Sequence, residues 1–380
     1  MGSSGNIQKQ ALLGFGAVVV LAALVWGVKR GHQSEVQPPA AIAIASPTKP
    51  AVAAQAPPDH SLDNFCAELR AGSDASSIRQ KLARLRTTLA NLPKDEAVAR
   101  IRRFLDSKAD APTHLPFKVA PGGLLAEAPT LRTFLLDELG RIDPAAAAAC
   151  AKTILDSMDS ADEWAVALRN LARGDSSADA RSLLEQKATQ MLQYAPWQQS
   201  PSTGYLEAFD VPVYLGGADF VPTLLTLVRG QDNPAIAHAA YLALDRLVIN
   251  NPASVLQAME SSPDLMAGRE STRADYFARA NVSDPQQLQV LQNYLLNPAI
   301  SDGELQTFAG IFPNANFMIS DNLLTQNVTL THDALANLDA QTLATVQQWE
   351  SDPRFTRVAT ELQTIAQRLQ GFAAQARRGP

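Results

Sequence analysis

Residues Asp219 to Met259 read DFVPTLLTLVRGQDNPAIAHAAYLALDRLVINNPASVLQAM, and the punctuation of this stretch decides the class of fold. Two breaks, Gly230 to Pro234 and Asn250-Asn251-Pro252, cut it into apolar segments of roughly 11 to 16 residues, the length of ordinary helices. Asn before Pro is a helix start: the Asn side chain accepts an orphan backbone N–H, and Pro lacks a donor where none is needed.

The same device recurs along the chain. Asn or Asp precedes Pro at 143/144, 233/234, 251/252, 284/285, 297/298 and 352/353, and Ser160-Ala-Asp-Glu163 and Ser301-Asp-Gly-Glu304 are capping boxes. Between these marks the apolar residues keep helical spacing. Ile78, Leu82, Leu85, Leu89 and Leu92 form one stripe, and Phe355, Val358, Leu362, Ile365, Leu369 and Phe372 another. The C-terminal stripe suits packing onto the preceding helices, with pairing of two chains as the alternative.

The centre of the opening stretch, Asp232-Asn-Pro-Ala-Ile236 running to Ala239-Ala240-Tyr-Leu242-Ala-Leu244, resembles a HEAT-type repeat, with weaker likenesses at Asp143 to Leu155 and Asp162 to Leu168. The Arg usual in such repeats is absent, with His238 nearby, and the spacing between units is irregular. The resemblance implies an all-α fold, a HEAT-like array or curved α-α superhelix, because helix pairs that cannot bury both faces alone must stack. Two stretches depart from the helical pattern. Residues 114–129 (HLPFKVAPGGLLAEAP) predict one small β-hairpin turning at Pro121-Gly-Gly123, and residues 194–220 read as a long loop-like segment.

At the other end, Ala11 to Val28 (ALLGFGAVVVLAALVWGV) is free of charge, amide and hydroxyl, with Lys9 before it and Lys29 and Arg30 after. As a helix it spans about 27 Å, close to a bilayer's hydrocarbon core, and Trp26 stands where an interfacial aromatic would. A cleaved signal peptide has a shorter apolar region and an earlier small-x-small site than Ala43-Ile44-Ala45. The expected organisation is a tail (1–10), a single transmembrane helix (11–28), a Pro/Ala-rich linker (29–60), basic membrane-proximal helices (61–110), a HEAT-like domain (111–350) and a C-terminal amphipathic helix (351–380). That layout resembles bacterial inner-membrane proteins whose main domain lies in the periplasm.

Composition bounds the function. The 380 residues are 46% hydrophobic and 18% charged with two Cys, which excludes a disulfide-rich scaffold and a collagen-like repeat. The net charge of −6 conceals an asymmetry: residues 1–108 hold 14 Lys/Arg against 8 Asp/Glu, while the rest is acidic. Arg79, Lys81, Arg84, Arg86, Arg100, Arg102 and Arg103 crowd the first helices, where a solvated face competes with contact to anionic lipid headgroups. No aromatic residue interleaves them, so nucleic acid is not an expected partner.

No cofactor or metal is expected. His32, His60, His114, His238 and His332 have no metal-pair spacing, and no His-Glu-x-x-His, Gly-x-Ser-x-Gly or phosphate loop occurs. Asp156, Asp159, Asp162 and Glu163 lack the spacing of a known calcium loop and suit a helix N-terminus. Cys66 and Cys150 read as buried free thiols, with a disulfide as the alternative. Six aromatics fall in residues 194–220, among them Tyr194, Trp197, Tyr205, Phe209 and Tyr214; core anchoring competes with partner recognition there. The leading expectation is a non-catalytic scaffold that binds another protein or assembles an envelope complex, self-association included. The alternative is an all-α envelope enzyme acting on a polymer, with Glu207 or Asp210 as acid or base in a cleft beside those aromatics.

Overall fold

The helix starts fall where the caps predict. In a computed structural model that describes residues 61–72, 74–230 and 233–378, Asp143 Oδ1 accepts from Ala146 N at 3.0 Å, Asn233 Oδ1 from Ala235 N at 3.1 Å and Asp284 Oδ1 from Gln287 N at 2.9 Å. Each cap is followed at once by Pro in the first helical turn. Two pairs depart from this: Asn251 starts a helix without a side-chain bond to its backbone, its Oδ1 accepting from Ser254 Oγ at 2.6 Å, and no helix starts at Asn297-Pro298. The Asn297 side chain accepts from Ala299 N in a turn, and the next helix waits for the Ser301 cap.

The resulting order is α1 (Ser61–Arg70), α2 (Ala75–Ala90), α3 (Lys94–Asp106), β1 (Lys118–Val119), β2 (Leu125–Glu127), α4 (Leu131–Ile142), α5 (Pro144–Ile154), α6 (Ala161–Gly174) and α7 (Ala178–Gln193). There follow α8 (Ala195–Gln199), α9 (Thr203–Glu207), α10 (Asp210–Leu215), α11 (Val221–Arg229), α12 (Pro234–Asn250), α13 (Pro252–Glu260), α14 (Glu270–Phe277), α15 (Pro285–Leu296), α16 (Asp302–Ile311), α17 (His332–Glu350) and α18 (Ala359–Arg378). The fold is all-α with one small antiparallel pair. In that pair Lys118 faces Glu127 and Val119 faces Leu125, and Gly122 and Gly123 take φ of 84° and 77° at the turn.

Residues 194–220 correct the loop-like reading, for they form α8, α9, α10 and a 3-10 turn at Ala218–Phe220. Pro196 and Pro212 lie within first turns, where the missing N–H costs nothing, Ser202 caps α9, and Gly216 ends α10 at φ 66°.

The helices pack in series. One row runs α4 on α6 on α9, then α10 on α12, then α14 on α16 on α18, while α11, α13 and α15 pack along a second row. Hydrogen bonds between successive units recur at separations of 31 to 36 residues: Arg132 to Glu163, Asn170 to Leu136, Asn251 to Gly216, Tyr276 to Tyr241, Arg246 to Asp210. One buried core extends from Leu62 in α1 to Leu369 in α18. The C-terminal stripe is packed within the chain: Phe355, Val358, Leu362, Ile365 and Leu369 are buried, and Phe372 is exposed.

No helix among the described residues is long and apolar enough to cross a membrane. The transmembrane segment expected at 11–28, the tail before it and the linker to residue 60 lie outside the described residues.

Candidate functional site

Both capping boxes close at the backbone: Glu163 N donates to Ser160 Oγ at 3.2 Å and Glu304 N to Ser301 Oγ at 3.3 Å. Their Glu side chains do not reach back to the cap. They cross to the preceding helix of the row instead, where Arg132 forks onto Glu163 at 2.9 and 3.0 Å and Arg273 onto Glu304 at 2.7 and 2.5 Å. A bidentate guanidinium–carboxylate pair fixes orientation as well as distance, so these pairs set the register of α4 against α6 and of α14 against α16.

Between them runs a ladder of Asp–Arg pairs. Arg169 and Asp137 are fully buried, 2.5 Å apart; Arg246 Nη1 lies 3.1 Å from Asp210 Oδ1; Arg279 forks onto Asp245 at 2.5 and 2.9 Å. Burial pushes the Asp245 carboxyl up, against the pull of Arg279. Such charges stay tolerable inside a protein only when their remaining donors and acceptors are also satisfied. Here main-chain groups supply part of that shell: Asp137 Oδ1 accepts from Leu125 N at 3.0 Å, and Arg169 donates to Gly123 O at 2.9 Å, which ties the hairpin to α4 and α6, while Asp137 Oδ2 accepts no hydrogen bond and has Arg141 3.7 Å away.

The rest of that shell comes from residues 313–331, a strap without regular secondary structure between α16 and α17. Extended stretches of this length inside a helical array are uncommon, and those that occur usually serve a function. Asn314 N donates to Ala278 O at 2.7 Å, and Arg279 Nη1 donates to Asn316 O at 2.7 Å. Further along, Leu324 N and Thr325 N donate to Asp210 Oδ2 at 2.7 and 2.9 Å, the Thr325 hydroxyl donates to Asp210 Oδ1, and Arg173 Nη2 donates to Leu323 O at 2.6 Å. The strap therefore crosses from α14 past α10 to α6 and the hairpin, held through its main chain by the Asp210 carboxylate, which accepts N–H, and by guanidinium groups that donate to C=O.

Its packing is sparse by comparison. Phe312 and Leu323 are buried, whereas Met318, Ile319, Val328 and Leu330 are exposed, four of the six large hydrophobic residues exposed among the described residues. A cavity of about 500 Å³ lies between the strap and α17, with Val248, Ile249, Phe317, Val328, Leu330 and Leu338 in its walls. A second, of about 230 Å³, lies at the hairpin end beside Arg173 and Asn322. Asn322 is buried there with its Nδ2 unpartnered.

The residues singled out in the sequence separate into groups. Asp210 is buried and saturated by Arg246 and the strap, while Glu207 is half-buried and burial raises its carboxyl. Tyr205 and Phe209 are buried, 5.4 Å apart edge to face, and burial pushes the Tyr205 hydroxyl up to about 12. Trp197 joins them to Trp164 and Tyr194 at 6.1, 5.3 and 5.0 Å, and only Tyr214 of the five is exposed. This is a core cluster that seats α8 and α9 against α6.

Of the basic residues, Arg79 pairs with Glu127 and Arg86 with Glu138, both at the next unit of the array, Lys81 approaches Glu68 at 3.8 Å and Arg100 bonds Glu96 within α3. Arg84, Arg102 and Arg103 are exposed. The acidic group is dispersed as well: Asp162 accepts from Ser202 Oγ at 2.6 Å and Gly204 N at 2.9 Å, and Glu163 holds Arg132. Cys66 and Cys150 are both free thiols, pushed up by burial.

Sequence reasoning missed Asp137, Arg169, Arg173, Asp245, Arg246 and Arg279, and it passed over the strap. Except for Arg173, which donates to main-chain carbonyls, their one sequence signal is spacing: the acidic and basic partners stand one helix pair apart, which becomes visible only once the pairs are counted. Comparison with known proteins found no matching family, no matching curated protein and no matching solved structure.

Proposed function

We propose that the chain is a membrane-anchored, HEAT-like helical scaffold that binds another protein through the ladder face crossed by residues 313–331. The observation that carries this reading is that the buried Asp210 and the Arg173 and Arg279 side chains, from separate units of the array, are turned toward the main chain of an extended segment, which is peptide-binding geometry supplied from within. Side-chain recognition of main-chain groups tolerates many sequences, and a stack of helix pairs offers it over a long surface. The acid–base alternative, with Glu207 or Asp210, is weakened at Asp210, whose oxygens already accept from Arg246, Leu324 N, Thr325 N and the Thr325 hydroxyl.

A photo-crosslinker placed at Ile319 of the full chain in native membranes tests the proposal, with the same group at Gln370 on α18 as the control. Reproducible capture of one partner from Ile319 and not from Gln370 is expected; equal or no capture refutes it. Anchoring through residues 11–28 with a periplasmic main domain is part of the same proposal. A reporter active only outside the cytoplasm, fused after Pro380, is expected to be active, and silence would place the domain inside.

A further inference from the structure

We infer that the strap, residues 313–331, is an internal stand-in for the partner, and that the partner segment is an extended peptide with an aliphatic residue in the Leu323 seat and Ser or Thr two positions later. This rests on the scaffold reading and names the chemistry of its ligand. Three features separate the strap from an ordinary connection.

First, it is held at its main chain by charged groups that belong to the array. Arg173 donates to the carbonyl of Leu323, Asp210 accepts two consecutive N–H groups and the Thr325 hydroxyl, and Arg279 donates to Asn316 O. Any extended chain of the same polarity can offer the same carbonyl and N–H pattern. Second, the strap buries little that is its own. Leu323 is its single fully buried aliphatic residue between Asn314 and Thr331, Met318 and Ile319 are 53% and 75% exposed, and Asn322 keeps a buried, unpartnered donor. Segments with few buried apolar contacts are the ones that open locally. Third, the seat is cut to fit a passing main chain. Gly123, at φ 77°, lies against Leu323 O and Arg173 Nη2, where no Cβ fits.

The specificity follows from these contacts. Leu323 is fully buried, so its seat takes an aliphatic side chain. Asp210 is 1% exposed and its oxygens act as acceptors, so a hydroxyl two positions on can donate to it and a carboxylate, which brings no donor, cannot. The cavity of about 500 Å³ beside Phe317, Val328 and Leu330 has room for a further apolar side chain of the incoming segment. A tethered strap competes at an effective concentration on the order of millimolar, so weakening its seat raises the affinity for a peptide supplied in trans.

The test measures fluorescence anisotropy of a labelled peptide copying residues 314–330, titrated with the full chain in detergent. Leu323→Ser in the protein is expected to bind it ~30-fold more tightly than the unaltered chain, because the strap no longer fills its own seat. Adding Arg173→Ala should remove ~10-fold of that gain, and a peptide carrying Asp at the Thr325 position should not bind. If folded Leu323→Ser protein binds nothing, or binds the Asp peptide equally well, the inference is overturned. Should Leu323→Ser fail to fold, Thr325→Ala in the protein replaces it, with a gain of ~5-fold expected and no gain overturning. In the unaltered chain, saturating peptide should speed amide exchange in residues 320–327, and unchanged exchange also overturns. Concentration-dependent dimers of Leu323→Ser would assign the face to a second copy and overturn the peptide partner. Crosslinking from Ile319 without peptide binding would sink strap displacement alone, whereas peptide binding without any crosslinked partner would sink the scaffold reading.

Discussion

Replacing Asp210 by Ala should release the strap and leave the array folded. Asp210 stands in the first turn of α10 and accepts from Leu324 N, Thr325 N, the Thr325 hydroxyl and Arg246 Nη1. A hydrogen bond to a charged group is worth about 1.5–3 kcal/mol. The three strap bonds share one carboxylate and are not independent, so the low end gives about 4 kcal/mol lost from the closed strap. At about 1.4 kcal/mol per factor of ten, exchange of the Leu324 and Thr325 amides should accelerate about a thousandfold. The helices lose less: the Arg246 side chain is 21% exposed and can turn to water once its partner is gone, so the strap-open array itself should lose only about 1–2 kcal/mol against unfolding. Hydrogen exchange read by mass spectrometry over residues 313–331, with α15 as the internal control, separates the two effects. Unchanged protection at 324 and 325 would refute the clamp, as would an equal loss of protection across α10, α12 and α15.

Four further outcomes follow from the same contacts. Arg169→Met strands a fully buried Asp137 and should cost about 3–5 kcal/mol in urea unfolding, while Asp137→Leu with Arg169→Met should cost clearly less than the sum of the two single changes; strict additivity would mean the pair is not coupled. Gly123→Ala puts a Cβ against Leu323 O at a positive φ and should lower stability by about 1–3 kcal/mol while exposing the strap to protease, whereas a fully stable, protease-resistant variant contradicts the close approach. Burial raises the Glu207 carboxyl, so between the ordinary and the raised value the folded state binds more protons than the unfolded one, and this contribution falls as pH rises through that window. Glu207→Gln should therefore match or exceed the unaltered chain in melting temperature at about pH 7 and lose that relative advantage at about pH 4; the reverse order would place Glu207 in a stabilising ion pair. With both thiols pushed up, alkylation should be slow at neutral pH and faster in alkali, Cys150 ahead of the more deeply buried Cys66, and a failure of either to react after unfolding without reductant would indicate a disulfide.

Much of the architecture could be read before any coordinates. The caps at Asp143, Asn233 and Asp284 start helices because the rule behind them is local: an oxygen one turn from an orphan N–H, and a Pro whose missing donor is harmless. The hairpin at Gly122-Gly123 and the apolar stripes of α2 and α18 follow from equally short-range periodicity. The 194–220 segment reads as a loop when Pro is weighed only as a breaker, whereas Pro196 and Pro212 sit in first turns and Pro201 precedes the Ser202 cap.

The site was not legible in the same way. Asp137 and Arg169, Asp210 and Arg246, Asp245 and Arg279 are separated by a whole helix pair, and nothing local marks them as partners. Glu163 and Glu304 were recognised as capping residues, and their side chains were then claimed by Arg132 and Arg273 on another helix. Local hydrogen bonds and 3.6-residue spacing, both properties of a few consecutive residues, determined from sequence alone that this is a helical array and where its helices begin. Only the tertiary structure decided which charges pair and what the 313–331 strap lies against, because those depend on how successive helices stack, and stacking brings together residues that the chain itself keeps far apart.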